Sequence, residues 1–174
     1  MNIKKITKYL LIVFSIFLVF AYFGSKELYN KNYDSYYQAL ANSYVIDAAD
    51  NNTLQLKINI STELIEYHHL GKDITEEFTC NGEHITDGST ISAQSCLEFT
   101  ATITEHDTID DVGRNTVSLS TPPYNNSIKS TVRVKERGGK KYKNAYAVYE
   151  ITYSTEPVIG ELQIDYWDVV FYQQ

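Results

Sequence analysis

The sequence has few cysteines, prolines and methionines, and it lacks the short motifs that mark the common enzyme classes. It contains no Gly-x-Ser-x-Gly element, no His-Glu-x-x-His element and no phosphate-binding glycine loop. A single methionine and a modest content of leucine and alanine argue against a helical bundle. We therefore do not expect an enzyme, and these absences disfavour the alternative of a carbohydrate- or cell-wall-degrading enzyme.

Positive charge is also scarce, because 15 lysines and arginines face 22 aspartates and glutamates. The formal net charge is -7 at pH 7. Three lysines, Lys4, Lys5 and Lys8, precede every acidic residue, so the rest of the chain is more acidic still. Such a surface repels phosphate backbones and anionic lipids unless a cation bridges them. We expect no nucleic-acid partner.

The residues that the sequence has in excess favour β-strands. Fifteen tyrosines accompany frequent threonine, valine and isoleucine, and 43% of the residues are hydrophobic, which is ample for a core. Alternating apolar and polar residues predict strands over 53–60, 74–80, 97–104, 117–119, 128–136, 144–153 and 161–172. Asn81-Gly82 predicts a type I′ hairpin, and Asp87-Gly88 predicts a second turn of this kind. We predict an all-β fold, an antiparallel β-sandwich of about eight strands.

The N-terminus predicts export. Residues 9–23 are uncharged, rich in leucine, isoleucine, valine and phenylalanine, and follow the lysine-rich start, so residues 1–26 are a signal anchor or a signal peptide. The run is shorter than the ~20 residues of a comfortable membrane span, yet long for a cleaved signal. An uncleaved anchor, which we favour, gives a single-pass cell-membrane protein whose remainder faces outside. Cleavage would give a secreted protein instead.

Residues 27–50 predict a tyrosine-rich helical stalk and linker. Tyr29, Tyr33, Tyr36 and Tyr37 recur at helical spacing, and the polar turn-forming residues from Asp47 onward predict that the helix ends before that residue. One interpretation makes the four tyrosines a partner-binding surface. The other makes the segment a stalk whose aromatic face packs on the domain or continues the membrane helix. The extracytoplasmic β-sandwich domain follows over residues 51–174.

The two cysteines and the histidines each allow two interpretations. Cys80 and Cys96 are an even pair in an exported protein, which favours a disulfide, although two buried free thiols are the alternative. Neither cysteine has a second cysteine two residues away, which argues against a Cys-Cys metal site. His68 and His69 are adjacent, so on a strand they point to opposite faces and cannot bind one metal together. We expect surface histidines rather than a zinc site.

An acidic segment follows the strand that ends near Ile103. Glu105, Asp107, Asp110 and Asp111 lie on a short connection closed by a glycine. Calcium is a hard cation that takes six to eight oxygen ligands, usually from several carboxylates and backbone carbonyls. The segment is therefore a candidate calcium site, unless its acids spread into solvent or cap the turn through backbone amides.

The order of strand, acidic loop and strand over residues 103–119 resembles the signature of synaptotagmin-type calcium- and phospholipid-binding β-sandwiches. This resemblance implies calcium ligands at Glu105, Asp107 and Asp110, with Glu105 in place of the usual aspartate. The second aspartate loop of that family is missing, and Asp73 is the nearest substitute. Elements over 54–153, among them Leu-Gly-Lys-Asp, Cys-Asn-Gly and Asp-Asp-Val-Gly, also resemble a group of small exported β-domain proteins of Gram-positive bacteria.

Together these features predict a membrane-tethered extracytoplasmic binding module with a weak calcium site at residues 105–113. Its ligands are Glu105, Asp107, Asp110, Asp111 and Asp73, and its partner is a protein or a component of the cell envelope. The alternative is a dedicated protein–protein partner, such as an accessory or immunity-type protein that neutralises or presents an exported factor.

Overall fold

The structure, a computed structural model, describes residues 3–107, 109–137 and 144–173, with side chains from residue 13 onward. The chain divides into two compact units. One comprises Met1–Asp47 with Ile159–Gln174, and the other is Ala48–Val158. The compact unit that contains the strands ends at Val158. A domain that extends over residues 51–174 stays a prediction.

Two four-stranded antiparallel sheets form the second unit. The strands are β1 (Gln55–His68), β2 (Ile74–Cys80), β3 (Glu83–Ile85), β4 (Thr90–Ser92), β5 (Cys96–Glu105), β6 (Asp111–Ser120), β7 (Asn126–Lys135) and β8 (Tyr146–Pro157). One sheet has the order β4-β1-β8-β7 and the other has the order β3-β2-β5-β6. The described residues thus form a mostly β fold with two antiparallel sheets, as in a β-sandwich, and β2 has the predicted bounds.

The core lies between the inner faces of the two sheets. Along β5 the residues Leu97, Phe99, Ala101 and Ile103 are fully buried, whereas Glu98 between them is exposed. The ring of Phe99 stacks on that of Tyr153 on β8 of the other sheet, with centroids 4.5 Å apart. Each large side chain buried in this way stabilises the fold by roughly 1.5–3 kcal/mol.

Gly113 on β6 lies close to the backbone of β7, which belongs to the other sheet. A Cβ atom at this position would lie 2.6 Å from the backbone oxygen of Arg133 on β7, a distance that real Cβ contacts do not show. Because glycine has no side chain, Gly113 allows β6 to lie against β7 of the other sheet. Any larger residue at this position would force these two strands apart.

The two predicted glycine turns differ in structure. Asn81 and Gly82 have φ values of 51° and 85° and connect the paired strands β2 and β3, which confirms the hairpin. The prediction of a second hairpin at Asp87-Gly88 is wrong, because β3 and β4 belong to different sheets. The Asp87 carboxylate instead accepts a hydrogen bond from the Ile60 amide at 2.7 Å.

One continuous helix, α1 (Ile3–Asp50), includes both the predicted N-terminal segment and the predicted stalk, as in the interpretation in which the stalk continues the N-terminal helix. The prediction that the helix ends before Asp47 is wrong. The carbonyl of Ala48 accepts hydrogen bonds from the amides of Thr53 and Leu54, at 2.8 and 3.0 Å, and thereby joins the last turn to the approach of β1. Within the described part of the chain, no helix combines the length and apolar character needed to cross a membrane.

The C-terminal segment belongs to the first unit. The strand predicted over 161–172 is wrong, because this segment contains the short helix α2 (Tyr166–Val170). Asp165 caps it by accepting a hydrogen bond from the Trp167 amide at 2.8 Å. The side-chain amide of Asn32 on α1 donates to the carbonyls of Val169 and Tyr172 at 3.1 and 3.2 Å. Long-range contacts with α1 therefore hold the segment as a helix.

Candidate functional site

Two carboxylates occupy core-facing positions at one end of the β5–β6 hairpin. Glu105 is the last residue of β5 and Asp111 is the first of β6, and the two are direct cross-strand partners. Side chains alternate along a strand, so Glu105 continues the buried row that ends at Ile103. The exposed fractions are 2% for Glu105 and 0% for Asp111. Both acids therefore face the interior and not the solvent-exposed loop.

Each carboxylate has one buried oxygen without a partner. Asp111 Oδ1 accepts a hydrogen bond from the Arg137 amide at 2.8 Å. Within the described residues, however, Asp111 Oδ2 and Glu105 Oε2 are buried and make no hydrogen bond. An unpaired buried polar group costs about 1–3 kcal/mol, and more when it is charged. The site thus favours an occupant that neutralises the two oxygens.

The electrostatic surroundings add to this preference. Burial raises the pKa of Glu105, and the charges of Asp107, Asp111, Glu136 and Asp73 raise it further. Burial likewise raises the pKa of Asp111, although the hydrogen bond from the Arg137 amide opposes that increase. A proton or a metal cation at this position would relieve the repulsion.

Gly71 forms one wall of the site. A Cβ atom built on Gly71 would overlap Glu105 Oε1, so the Glu105 carboxylate lies directly over the backbone of this glycine. The residue before it, Leu70, is buried. The segment between β1 and β2 therefore supports the carboxylate through a contact that only glycine permits. Gly71 was not among the residues predicted at the site, although the nearby Asp73 was.

The other predicted ligands are exposed and have local roles. Asp107 Oδ1 accepts a hydrogen bond from the Ile109 amide at 2.7 Å, and Asp110 lies 3.1 Å from His106 Nδ1. The carbonyl of Asp73 accepts a hydrogen bond from the His106 amide at 2.8 Å. Across the described chain, no three histidine, cysteine, aspartate or glutamate side chains are placed to hold one metal ion. The five predicted ligands are thus a buried pair and three exposed acids.

The predicted disulfide is wrong, since both cysteines are free thiols. Cys80 is the cross-strand partner of Phe99, and Cys96 lies three residues before that partner. This offset separates the two Cα atoms by roughly 10 Å, beyond the ~7 Å limit of a disulfide. An odd offset also puts the two side chains on opposite faces, and accordingly Cys80 is buried whereas Cys96 is exposed.

The tyrosines predicted to bind a partner mostly contact their own unit. Tyr29 stacks on Tyr166 of α2 with centroids 4.8 Å apart, and Tyr36 meets Tyr172 edge-on at 5.5 Å. Tyr33 lies between the rings of Tyr29 and Tyr37, at 5.5 and 6.3 Å. These contacts favour the interpretation of a structural stalk, and binding of a partner by the four tyrosines stays a prediction.

The structure reveals two further exposed aromatic residues that the sequence analysis missed. Trp167 and Phe171 project from the C-terminal helix segment with ring centroids 5.8 Å apart. Their spacing of four residues is the helical signal that could have identified them. It was missed because the surrounding residues also alternate in the manner of a strand.

Comparison with protein-family models gives no match for this chain, and comparison with curated protein sequences gives none either.

Proposed function

We propose that this protein is a membrane-tethered extracytoplasmic binding module in which Glu105 and Asp111 hold a calcium ion. The observation that carries the proposal is the pair of buried oxygens, one on each carboxylate, that have no hydrogen-bond partner among the described residues. The cation would neutralise two charges that the fold keeps away from water. No catalytic role is proposed for the site.

The chemistry of the site suits a weakly held calcium ion. Calcium prefers oxygen ligands and accepts irregular geometry, so two carboxylates can be supplemented by water and backbone carbonyls. The nearby charges of Asp107 and Asp73, which raise the pKa of Glu105, would add long-range attraction. With so few protein carboxylates we expect a dissociation constant of roughly 10⁻⁴ to 10⁻³ M, as in extracellular calcium modules.

The proposed tether depends on the N-terminal part of α1. Large apolar side chains from Val13 to Phe23 are exposed within their own unit, and an exposed apolar surface of this extent is typical of contact with lipid or protein. The lysines before residue 9 favour a cytoplasmic N-terminus, with the remainder of the chain outside.

A melting experiment on the full chain tests the calcium site. At 10 mM calcium and pH 7.5, a dissociation constant of 10⁻⁴ to 10⁻³ M corresponds to a stabilisation of about 1.4–2.7 kcal/mol relative to chelator. For a unit of about 110 residues this corresponds to an increase in Tm of roughly 6–12 °C. Glu105→Gln should abolish the increase. Glu98→Gln, on the exposed face of the same strand, is the matched control and should retain it.

An unchanged Tm at 10 mM calcium would remove the cation from the proposal. An equal increase in the Glu105→Gln variant would place any bound calcium elsewhere in the protein.

The second candidate, a protein–protein partner of the accessory or immunity type, is favoured by the outer edge of β1. The short strand β4 pairs only with Gln55–Lys57. Further along β1, the large apolar residues Leu64, Ile65 and Tyr67 are exposed. An exposed strand edge with apolar side chains can pair with an extended segment of another protein.

Affinity purification of the full chain from solubilised membranes tests this second candidate. One stoichiometric partner that is lost in an Ile65→Lys variant, but retained in a Glu98→Gln variant, would favour it over the cation-binding module. Equal recovery of the partner with both variants would rule out this edge as the binding surface.

A further inference from the structure

We propose that α2 is a second membrane contact, which rests at the level of the lipid headgroups and inserts Trp167 and Phe171 there. This inference rests on the proposed tether, because it requires α1 to enter the bilayer with residues that precede Ser25. It assigns a role to the C-terminal segment, which the cation site does not use.

The position of α2 along α1 is set by several polar contacts. The Tyr166 hydroxyl donates a hydrogen bond to Ser25 Oγ at 3.0 Å. Asn32 donates to the carbonyls of Val169 and Tyr172, at and just beyond the C-terminal end of α2. These contacts hold α2 beside residues 25–32 of α1, just beyond the end of the apolar run.

The two sides of α2 differ sharply in exposure. Val169 and Val170 are buried, whereas 55% of Trp167 and 72% of Phe171 are exposed. Trp167 on α2 and Phe171 directly after it are largely in water, and each thereby forgoes up to roughly 1.5–3 kcal/mol of burial. The two rings stack on each other and still leave more than half of each side chain exposed, so an external apolar phase is the expected partner.

The groove beside α2 changes from apolar to polar along the axis of α1. It has a volume of about 610 Å³. Leu18, Ala21 and Tyr22 line one end, and Lys26 and Asn30 line the other. An α-helix rises about 1.5 Å per residue, so the lining of the groove changes from apolar to polar over roughly 20 Å of α1. This length is comparable to the distance between the acyl chains and the headgroups of one leaflet.

A lipid surface accounts for this combination better than a protein partner does. Exposed apolar side chains lie on several sides of α1 before Gly24, with Leu18 and Tyr22 at the groove and Phe17, Phe20 and Phe23 on other sides. Tryptophan and tyrosine are enriched where a protein crosses from hydrocarbon to water, because their rings are apolar at one end and polar at the other. The side chain of Lys26 can extend from this level toward lipid phosphates.

The chain contains a single tryptophan, so the fluorescence of Trp167 reports on α2 alone. The full chain is reconstituted into phosphatidylcholine vesicles whose acyl chains are brominated either close to the headgroup or close to the terminal methyl group. Flotation of the vesicles measures tethering separately. We expect the protein to float and its emission to fall roughly twofold with the shallow bromines, and less with the deep ones, as for a helix at the interface.

Two variants control the measurement. Trp167→Phe combined with Tyr44→Trp moves the only tryptophan to an exposed position on α1, about 28 Å beyond Ser25, and this protein should float without quenching. Phe171→Ser removes the neighbouring ring at an exposed position and should weaken the quenching of Trp167 without loss of flotation.

The outcomes separate this inference from the proposed tether. Failure to float would overturn both. Flotation without quenching of Trp167 would overturn only the role of α2 and leave its aromatic face for a protein partner. Stronger quenching by the deep bromines than by the shallow ones would overturn the placement at headgroup level.

Discussion

Replacement of Glu105 by glutamine should stabilise the β-sheet unit at neutral pH in the absence of calcium. The wild-type carboxylate is 2% exposed and has a buried oxygen without a partner among the described residues. Glutamine has nearly the same shape and no charge, so it avoids most of the cost of keeping a carboxylate away from water.

The pH dependence follows from the direction of the pKa shift. Burial, followed by the charges of neighbouring acids, raises the pKa of Glu105 above its ordinary value of 4.5. The folded state therefore holds this proton more tightly than the unfolded state does. Protonated Glu105 therefore contributes to the free energy of unfolding. This contribution is fully present below pH 4.5 and is lost as the pH rises through the folded-state pKa. The advantage of Glu105→Gln over wild type should therefore be small near pH 4.5 and largest at neutral pH.

The magnitude can be estimated from the burial of the group. A buried carboxylate without a partner costs more than a neutral amide in the same place, and we take this difference as about 1–3 kcal/mol. Unfolding of a unit of about 110 residues has an entropy of roughly 0.23 kcal/mol per kelvin. The variant should consequently melt about 4–13 °C above wild type at pH 7.5.

Melting curves between pH 4.5 and pH 8 in chelator, followed by circular dichroism, measure this difference directly. Glu98→Gln should show no comparable advantage, because Glu98 is on the exposed face of the same strand. Asp111→Asn should shift the transition in the wild-type profile toward lower pH, because the charge of Asp111 raises the pKa of Glu105. A Glu105→Gln variant less stable than wild type at pH 7.5, or an advantage independent of pH, would refute the reasoning.

Three further predictions concern the packing around the two sheets. Gly71→Ala should destabilise the unit by roughly 1–3 kcal/mol, because the added methyl group would overlap Glu105 Oε1. The double variant Gly71→Ala/Glu105→Ala should recover part of that loss, and urea denaturation measures both effects. Tyr153→Phe should be neutral or stabilising, because the buried Tyr153 hydroxyl has no partner among the described residues, whereas Tyr153→Ala should cost about 3–5 kcal/mol. A thiol reagent should label Cys96 in the native protein and Cys80 only after denaturation, as read by peptide mass spectrometry, since burial raises the pKa of Cys80 to about 11.

Each of these predictions has an opposing result. An unaltered stability of Gly71→Ala would mean that the Glu105 carboxylate can move aside within the site. A loss above about 1 kcal/mol in Tyr153→Phe would reveal a hydrogen bond to the hydroxyl. If neither cysteine were labelled until a reductant was added, the prediction of a disulfide between Cys80 and Cys96 would be correct after all.

Local patterns were sufficient to predict much of the β-sheet unit. The period-two alternation identified β2 with its bounds, and the need for positive φ at Asn81 and Gly82 identified the hairpin that follows. Continuation of the alternation from Leu97 through Ile103 would also have placed Glu105 on the buried face. Carboxylates are seldom buried, so residue type favours a loop at Glu105, whereas the alternation favours the buried face that the structure shows.

Other features depend on contacts between residues far apart in the chain. The register between β2 and β5 places Cys80 opposite Phe99, which leaves it too far from Cys96 for a disulfide. Asp111 lies beside Glu105 because β6 pairs with β5 at that position. The C-terminal residues carry a pattern compatible with either a strand or a helix, and Asn32, more than 130 residues away, completes the helix. Side-chain periodicity is a property of neighbouring residues, so the sequence could indicate which faces would be apolar. Pairing partners, the depth of a buried charge and the capping of α2 arise only when the chain folds, because their energies come from contacts that no local pattern contains.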